Sequence, residues 1–141
     1  MKYCLAGIAL AVTLTPALAA PAHDSVAAVV QRHQDAFAKK DIKALLADYG
    51  DDAIIVISPD VARGKAQIQK VFEGYFAPTA KMGVFDVKLD KVDGDVGQTK
   101  WTVNPGTTNA REGNDVFVVR GGKIRFQATY NVHPVAQGAA K

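Results

Sequence analysis

The chain has one cysteine, one tryptophan, three histidines and only a small excess of positive charge, and each shortage excludes something. Cys4 lies in an N-terminal stretch that reads as removable, so the mature chain is expected to have no disulfide, thiolate nucleophile or cysteine-based metal site. No HxxxH pair or ligand-spaced acid cluster occurs, and neither a metal nor any other cofactor is expected. A glycine-rich phosphate loop before a helix and a nucleophile-elbow serine are also missing. The 17 basic and 14 acidic residues interleave, giving a formal net charge of +3. The densest basic group, Lys39-Lys40 with Lys43, is flanked by Asp35, Asp41 and Asp48. That is the make-up of a solvated helix surface, and no nucleic-acid partner is expected.

What is present begins with an export signal. Lys2 supplies the positive start, Leu5 to Leu14 are apolar apart from Thr13, Pro16 breaks the run, and Ala17-Leu18-Ala19 offers small residues for cleavage. The apolar run is shorter than the roughly 20 residues a bilayer span needs, and no second such run follows. Residues 1–19 are therefore expected to be a signal peptide, residues 20–134 one domain and residues 135–141 a fraying tail. The mature form is expected in the periplasm or secreted, with no membrane partner.

Asp24-Ser25 reads as a helix cap, followed by Val26, Val29, Val30, His33 and Phe37 along one helical face. Asp41 caps a second helix with Ile42, Leu45, Leu46 and Tyr49 inward, ended by Gly50. Ala53 to Ile57 reads as a buried strand, and Ser58-Pro59-Asp60 as a turn. A third helix opens at Gly64, carries Ile68, Val71, Phe72, Tyr75 and Phe76 on its apolar side, and stops before Pro78. The period then becomes two: Phe85, Val87 and Leu89 alternate with charges. Gly94-Asp95 and Gly97 mark a turn before a strand with Trp101 and Val103, and Asn104 to Asn114 reads as a loop. Asp115 to Val119 and Ile124 to Val132 form a hairpin about Arg120-Gly121-Gly122. The layout is α+β: a curved antiparallel sheet with three helices on one face.

Three stretches carry a family resemblance. They are Lys40 to Ala53, Arg63 to Ile68, and the closing hairpin Asn114 to Ile124, and in this order they span most of the mature chain. The chain resembles the nuclear transport factor 2-like superfamily in its SnoaL-like branch. The resemblance implies a cone, a strongly bent sheet wrapped around helices with a pocket between them. It also implies a homodimer paired through the outer face of the sheet. It does not imply one activity, since isomerases, cyclases, dehydratases, epoxide hydrolases and non-catalytic proteins share the fold.

Two residues are the candidates for chemistry. His33 is turned inward by its helical stripe, where isomerase relatives place an oxyanion-holding tyrosine; a neutral imidazole there can donate or accept a proton. A core histidine satisfied by a backbone carbonyl would give the same pattern. Asp115 heads a strand whose next inward residues, Phe117 and Val119, are apolar, so its carboxyl should be desolvated and its pKa raised. The resemblance places it near the neutral Asp of the ketosteroid isomerase oxyanion hole, or the acid-base Asp of the cyclases; an Asp capping the preceding loop is the alternative. A three-residue turn with a bulge at Gly122 would set Asp115 opposite Gln127, with Asn131 on the same face.

Trp101, Tyr49 and Phe76 complete the expected pocket lining, with plain core packing the alternative for Tyr49 and Phe76, while Tyr130 has the parity of an outward residue. Where isomerases carry their proton-shuttling Asp, this chain reads Ile57-Ser58-Pro59 with Asp60 beyond, which argues against steroid isomerisation. No Asp-Arg-Asp trio of the epoxide hydrolase kind is found. The expected function is binding of a small apolar or aromatic molecule in the cone, with proton transfer by Asp115 and His33. The alternatives are a non-catalytic ligand-binding domain and a protein-interaction domain working through its outer sheet.

Overall fold

Ser25 and Asp41 start the first two helices as their side chains dictate. Helix α1 spans Val26–Ala38, and the Ser25 hydroxyl accepts a hydrogen bond from the Ala28 N–H at 3.2 Å. Helix α2 spans Ile42–Asp48, with Asp41 Oδ1 accepting from the Ala44 N–H at 3.0 Å. The computed structural model describes residues 23–80 and 83–136; the expected signal peptide with Cys4, and residues 137–141 of the tail, lie outside the described residues.

The remaining elements are β1 (Tyr49–Ile57), β2 (Asp60–Arg63), α3 (Gly64–Phe76), a 3₁₀ turn at Pro78–Ala80, β3 (Phe85–Asp93), β4 (Val96–Val103), β5 (Arg111–Arg120) and β6 (Lys123–Pro134). The six strands form one curved, unclosed sheet in the order β2-β1-β6-β5-β4-β3. Its neighbours are antiparallel except β1 and β6, which run parallel, so the sheet is mixed rather than wholly antiparallel. Val29, Val30, Leu45, Tyr49, Ile55, Ile68, Phe72, Phe117 and Ile124 form the core between the helices and the inner sheet face.

Tyr49 and Gly50 belong to β1, not to the end of α2. The helical spacing extends to Tyr49, but pairing with Ile124 of β6 overrides it. Gly97 lies within β4 instead of in the turn; a Cβ there would come within 3.0 Å of Val26 and 3.2 Å of Val30, so its bareness lets α1 approach the sheet. The loop expected to run to Asn114 ends sooner, because β5 begins at Arg111. Asp115 is thus inside a strand and not at its head.

Two irregularities in β6 decide which way its side chains face. Gly121 and Gly122, at φ of 60° and 70°, make a two-residue turn with Arg120 opposite Lys123. One register shift follows at once: Val119 pairs with Ile124 and Val118 with Phe126, leaving Arg125 as an extra residue. A second shift lies between the pairs Asn114–Tyr130 and Glu112–His133, at Asn131, whose φ is 54°. Across from Asp115 is therefore Thr129, while Gln127 faces Phe117.

Arg32 ties the two N-terminal helices together. Its Nε donates to Asp48 Oδ1 at 2.6 Å and its Nη1 to Asp24 Oδ2 at 2.8 Å. Asp48 is buried with Oδ2 lacking a partner among the described residues, and burial pushes its carboxyl up against the opposing pull of Arg32.

Candidate functional site

Between α1, α3 and the inner face of the sheet lies a cavity of about 250 Å³. Five aromatic rings line it: Phe37 from α1, Phe72 and Tyr75 from α3, Phe85 from β3 and Trp101 from β4. Ile55, Ile57, Val87 and Val132 add hydrocarbon, and the polar lining consists of His33, Gln34, Asp115, Gln127 and Thr129. A wider vestibule of about 750 Å³ adjoins it, sharing Gln34, Phe37, Phe85 and Val87. Phe76, Phe37, Phe85 and Trp101 form a chain of rings from vestibule to inner cavity, with successive centroids 5.2, 5.4 and 5.7 Å apart.

Among the described residues Asp115 is the only carboxylate lining the inner cavity. Thr129 Oγ1 donates to its Oδ1 at 2.6 Å, and the Trp101 side chain supplies a second hydrogen bond, which only the indole N–H can donate. Burial raises its pKa to about 6, more than the two donors lower it. Trp101 reaches this position because its ladder partner is Gly113: a Cβ there would come within 2.5 Å of the indole. Trp101 is a wall of the cavity and does not fill it.

His33 is 2% exposed and meets Tyr49, Phe72 and Phe117 edge-on, with ring centroids 5.4, 6.1 and 5.4 Å away. Desolvation lowers its pKa to about 3, so the ring is neutral throughout the physiological range. Nδ1 has no hydrogen-bond partner, carbonyl or otherwise, among the described residues. His33 and Asp115 therefore address one cavity separately, the first from a greasy wall and the second from a hydrogen-bonded seat.

The other expected lining residues divide. Gln127 lines the cavity, and Tyr49, wholly buried behind it, donates its hydroxyl to Gln127 Oε1. Tyr49 thus holds an amide in place without forming part of the wall. Phe76 lines the vestibule rather than the inner cavity. Asn131 is exposed and donates to Asn114 Oδ1 at 3.3 Å, turned out by the bulge it occupies. Tyr130 faces outward, 42% exposed.

Sequence reasoning missed Thr129 and Gln34 and left Tyr75 as core. A two-residue turn at Gly121-Gly122 plus one bulge would have found Thr129. Burial raises the Tyr75 hydroxyl pKa, and the Asp115 charge raises it further. Ile57 lines the cavity as hydrocarbon where isomerases shuttle protons. Among the described residues no group of three His, Cys, Asp or Glu is placed to hold a metal ion, and no helix is long and apolar enough to cross a membrane.

Comparison with known proteins agrees with this geometry. The sequence profile described as SnoaL-like domain matches residues 30–127. A search of curated protein sequences returns no match. Among solved structures, an NTF-2 like protein of unknown function from Burkholderia xenovorans LB400 is 20% identical, with 81% of this chain and 87% of that chain covered at a TM-score of 0.67. A ketosteroid isomerase-like protein from Erwinia carotovora atroseptica SCRI1043 is 17% identical, covering 74% and 91% of the two chains at a TM-score of 0.60. An LEH-like epoxide hydrolase from M. tuberculosis is 20% identical, covering 74% and 80% at a TM-score of 0.58. At these identities the structures share a fold, whereas the profile match covers more than half of the sequence; the chain belongs to the SnoaL-like branch of the nuclear transport factor 2-like superfamily.

Proposed function

We propose that the protein binds a small apolar or aromatic molecule in the inner cavity and that Asp115 transfers a proton to or from it. The observation that carries this reading is the Asp115 carboxyl itself. It is desolvated, seated by Thr129 and Trp101, and has a pKa of about 6, where both proton acceptance and donation are accessible near neutrality. His33, kept neutral by burial, is a further polar group of the lining, and Gln127, fixed by Tyr49, orients the ligand. An engineered cavity of about 150 Å³ accepts benzene, so about 250 Å³ suits a one- or two-ring molecule and not a steroid.

The test is deuterium exchange. Small aromatic ketones are incubated with the protein in D₂O, and loss of the signal from the hydrogen alpha to the carbonyl is followed by NMR. Catalysed exchange that Asp115→Asn abolishes is the expected result. Saturable binding without exchange would leave a non-catalytic binding domain, and no binding would overturn the pocket reading.

The chain is also proposed to be exported, on the strength of Lys2, the Leu5–Leu14 run and Ala17-Leu18-Ala19. Mass spectrometry of the native protein should find an N-terminus at residue 20; retention of residues 1–19 overturns the proposal. A homodimer through the outer sheet is proposed as well. Half-buried Ile54, Phe126 and Val118 form one cross-strand row on that face, and Val56, Ala128 and Val116 form the next.

A further inference from the structure

The charges around the cavity are predominantly negative. Among the described residues Asp115 is the only charged group lining the inner chamber, since His33 is held neutral and no lysine or arginine of these lines it. The vestibule adds Asp35 and Asp86 against a single Lys40. This negative lining belongs to a chain whose formal net charge is +3, so it is a local property of the cleft. The donors that Asp115 receives among the described residues, Thr129 and Trp101, are neutral. An ionised carboxylate in low dielectric without a counter-charge favours a cation from outside.

The walls fit the same ligand. Phe37, Phe72, Tyr75, Phe85 and Trp101 surround the space that Asp115 faces. Aromatic faces attract cations, and several rings around one site form the usual cage for alkylammonium groups. A neutral hydrocarbon would use the rings and leave the carboxylate unmatched. An anion would be repelled by Asp115 and by the balance of charge at the vestibule.

We propose that the preferred ligand of this cavity is a compact organic cation, an aryl- or alkylammonium, whose charge pairs with Asp115 and whose apolar body rests against the aromatic rings. This rests on the reading of the inner cavity as the ligand site and adds the sign of the ligand's charge. It does not depend on proton transfer.

Trp101, the sole tryptophan and part of the wall, makes the test direct. Its fluorescence is titrated at pH 7.5 with phenyltrimethylammonium, its neutral carbon isostere tert-butylbenzene, and benzoate. The cation is expected to bind at least about tenfold tighter than tert-butylbenzene, with benzoate weakest. Asp115→Asn should erase the advantage of the cation while preserving binding of tert-butylbenzene. Phe37→Leu, which removes a ring but keeps an apolar wall, should weaken the cation several-fold more than the isostere, and it gives an independent answer if the Asp115 variant does not fold. Equal affinity for cation and isostere, tighter binding of benzoate, or unchanged cation affinity in the folded Asp115→Asn protein overturns the proposal and leaves the apolar pocket standing. Failure of all three probes to bind overturns both.

Discussion

Thr129 and Asp115 face each other across the β5–β6 pair, and the threonine hydroxyl donates to the carboxylate at 2.6 Å. A side-chain hydrogen bond thus joins the two central strands within a chamber whose lining is mostly apolar. It holds the carboxylate without cancelling its charge, and the behaviour of the site follows from that.

Asp115 should make stability depend on pH in a defined direction. Its pKa is raised in the folded state from 3.8 to about 6, so folding favours the protonated form. The contribution is fully present below 3.8 and is lost as pH rises through 6, a difference of about 3 kcal/mol at most. Asp115→Asn should therefore be more stable than wild type at pH 8, with the gap closing toward pH 4. Urea melts at several pH values measure this, and a destabilised variant at pH 8 would contradict it.

His33 acts in the opposite sense. Its pKa falls from 6.5 to about 3 on folding, so below 6.5 the unfolded chain takes up a proton that the folded chain refuses. Stability from this group is lost progressively from pH 6.5 toward 3. His33→Leu should flatten the acid limb of the stability curve, whereas Asp115→Asn should steepen it. In NMR the His33 ring resonances should not titrate between pH 5 and 8; a midpoint near 6.5 would show the ring to be solvated.

Gly113→Ala should displace Trp101, because the added methyl would meet the indole at 2.5 Å. Overpacking of this kind costs about 1–3 kcal/mol. The fluorescence emission should move to longer wavelength as the ring leaves its wall, and probe binding should weaken. An unshifted spectrum would mean the backbone absorbs the clash.

The outer face offers a separate test. Val118→Glu places a charge in the apolar row it shares with Ile54 and Phe126 without touching the cavity. Light scattering should show a dimer for the wild type and a monomer for the variant, with the Trp101 spectrum unchanged. A wild-type monomer would overturn the dimer.

Much of this was legible in the sequence, for local reasons. Ser25 and Asp41 cap the helices because a side-chain oxygen beside a free N–H needs no tertiary help. Asp115 could be read as desolvated because Phe117 and Val119 share its face. The parallel β1–β6 pairing was not legible, since a strand's own residues do not name its neighbour's direction. β2 was missed because only Ala62 of its four residues turns inward, too short a pattern to show alternation. Asn131 was misplaced because the bulge it occupies turns it outward. Thr129 was overlooked because the two-residue turn and the bulge at Arg125 shift the register by two, setting Thr129 rather than Gln127 across from Asp115. The signature of each bulge is a single inserted residue. Arg125 carried no such mark.

The first strand of the sheet is paired with the last. Tyr49 and Gln127, joined by a hydrogen bond, lie 78 residues apart in the chain. Until β6 has left the ribosome, β1 has only the four-residue β2 beside it, and the inner chamber lacks a wall. Contacts this distant in sequence close a large loop before they stabilise anything, and they slow folding. A chain so built cannot complete its sheet until β6 is available, a delay compatible with the export proposed above.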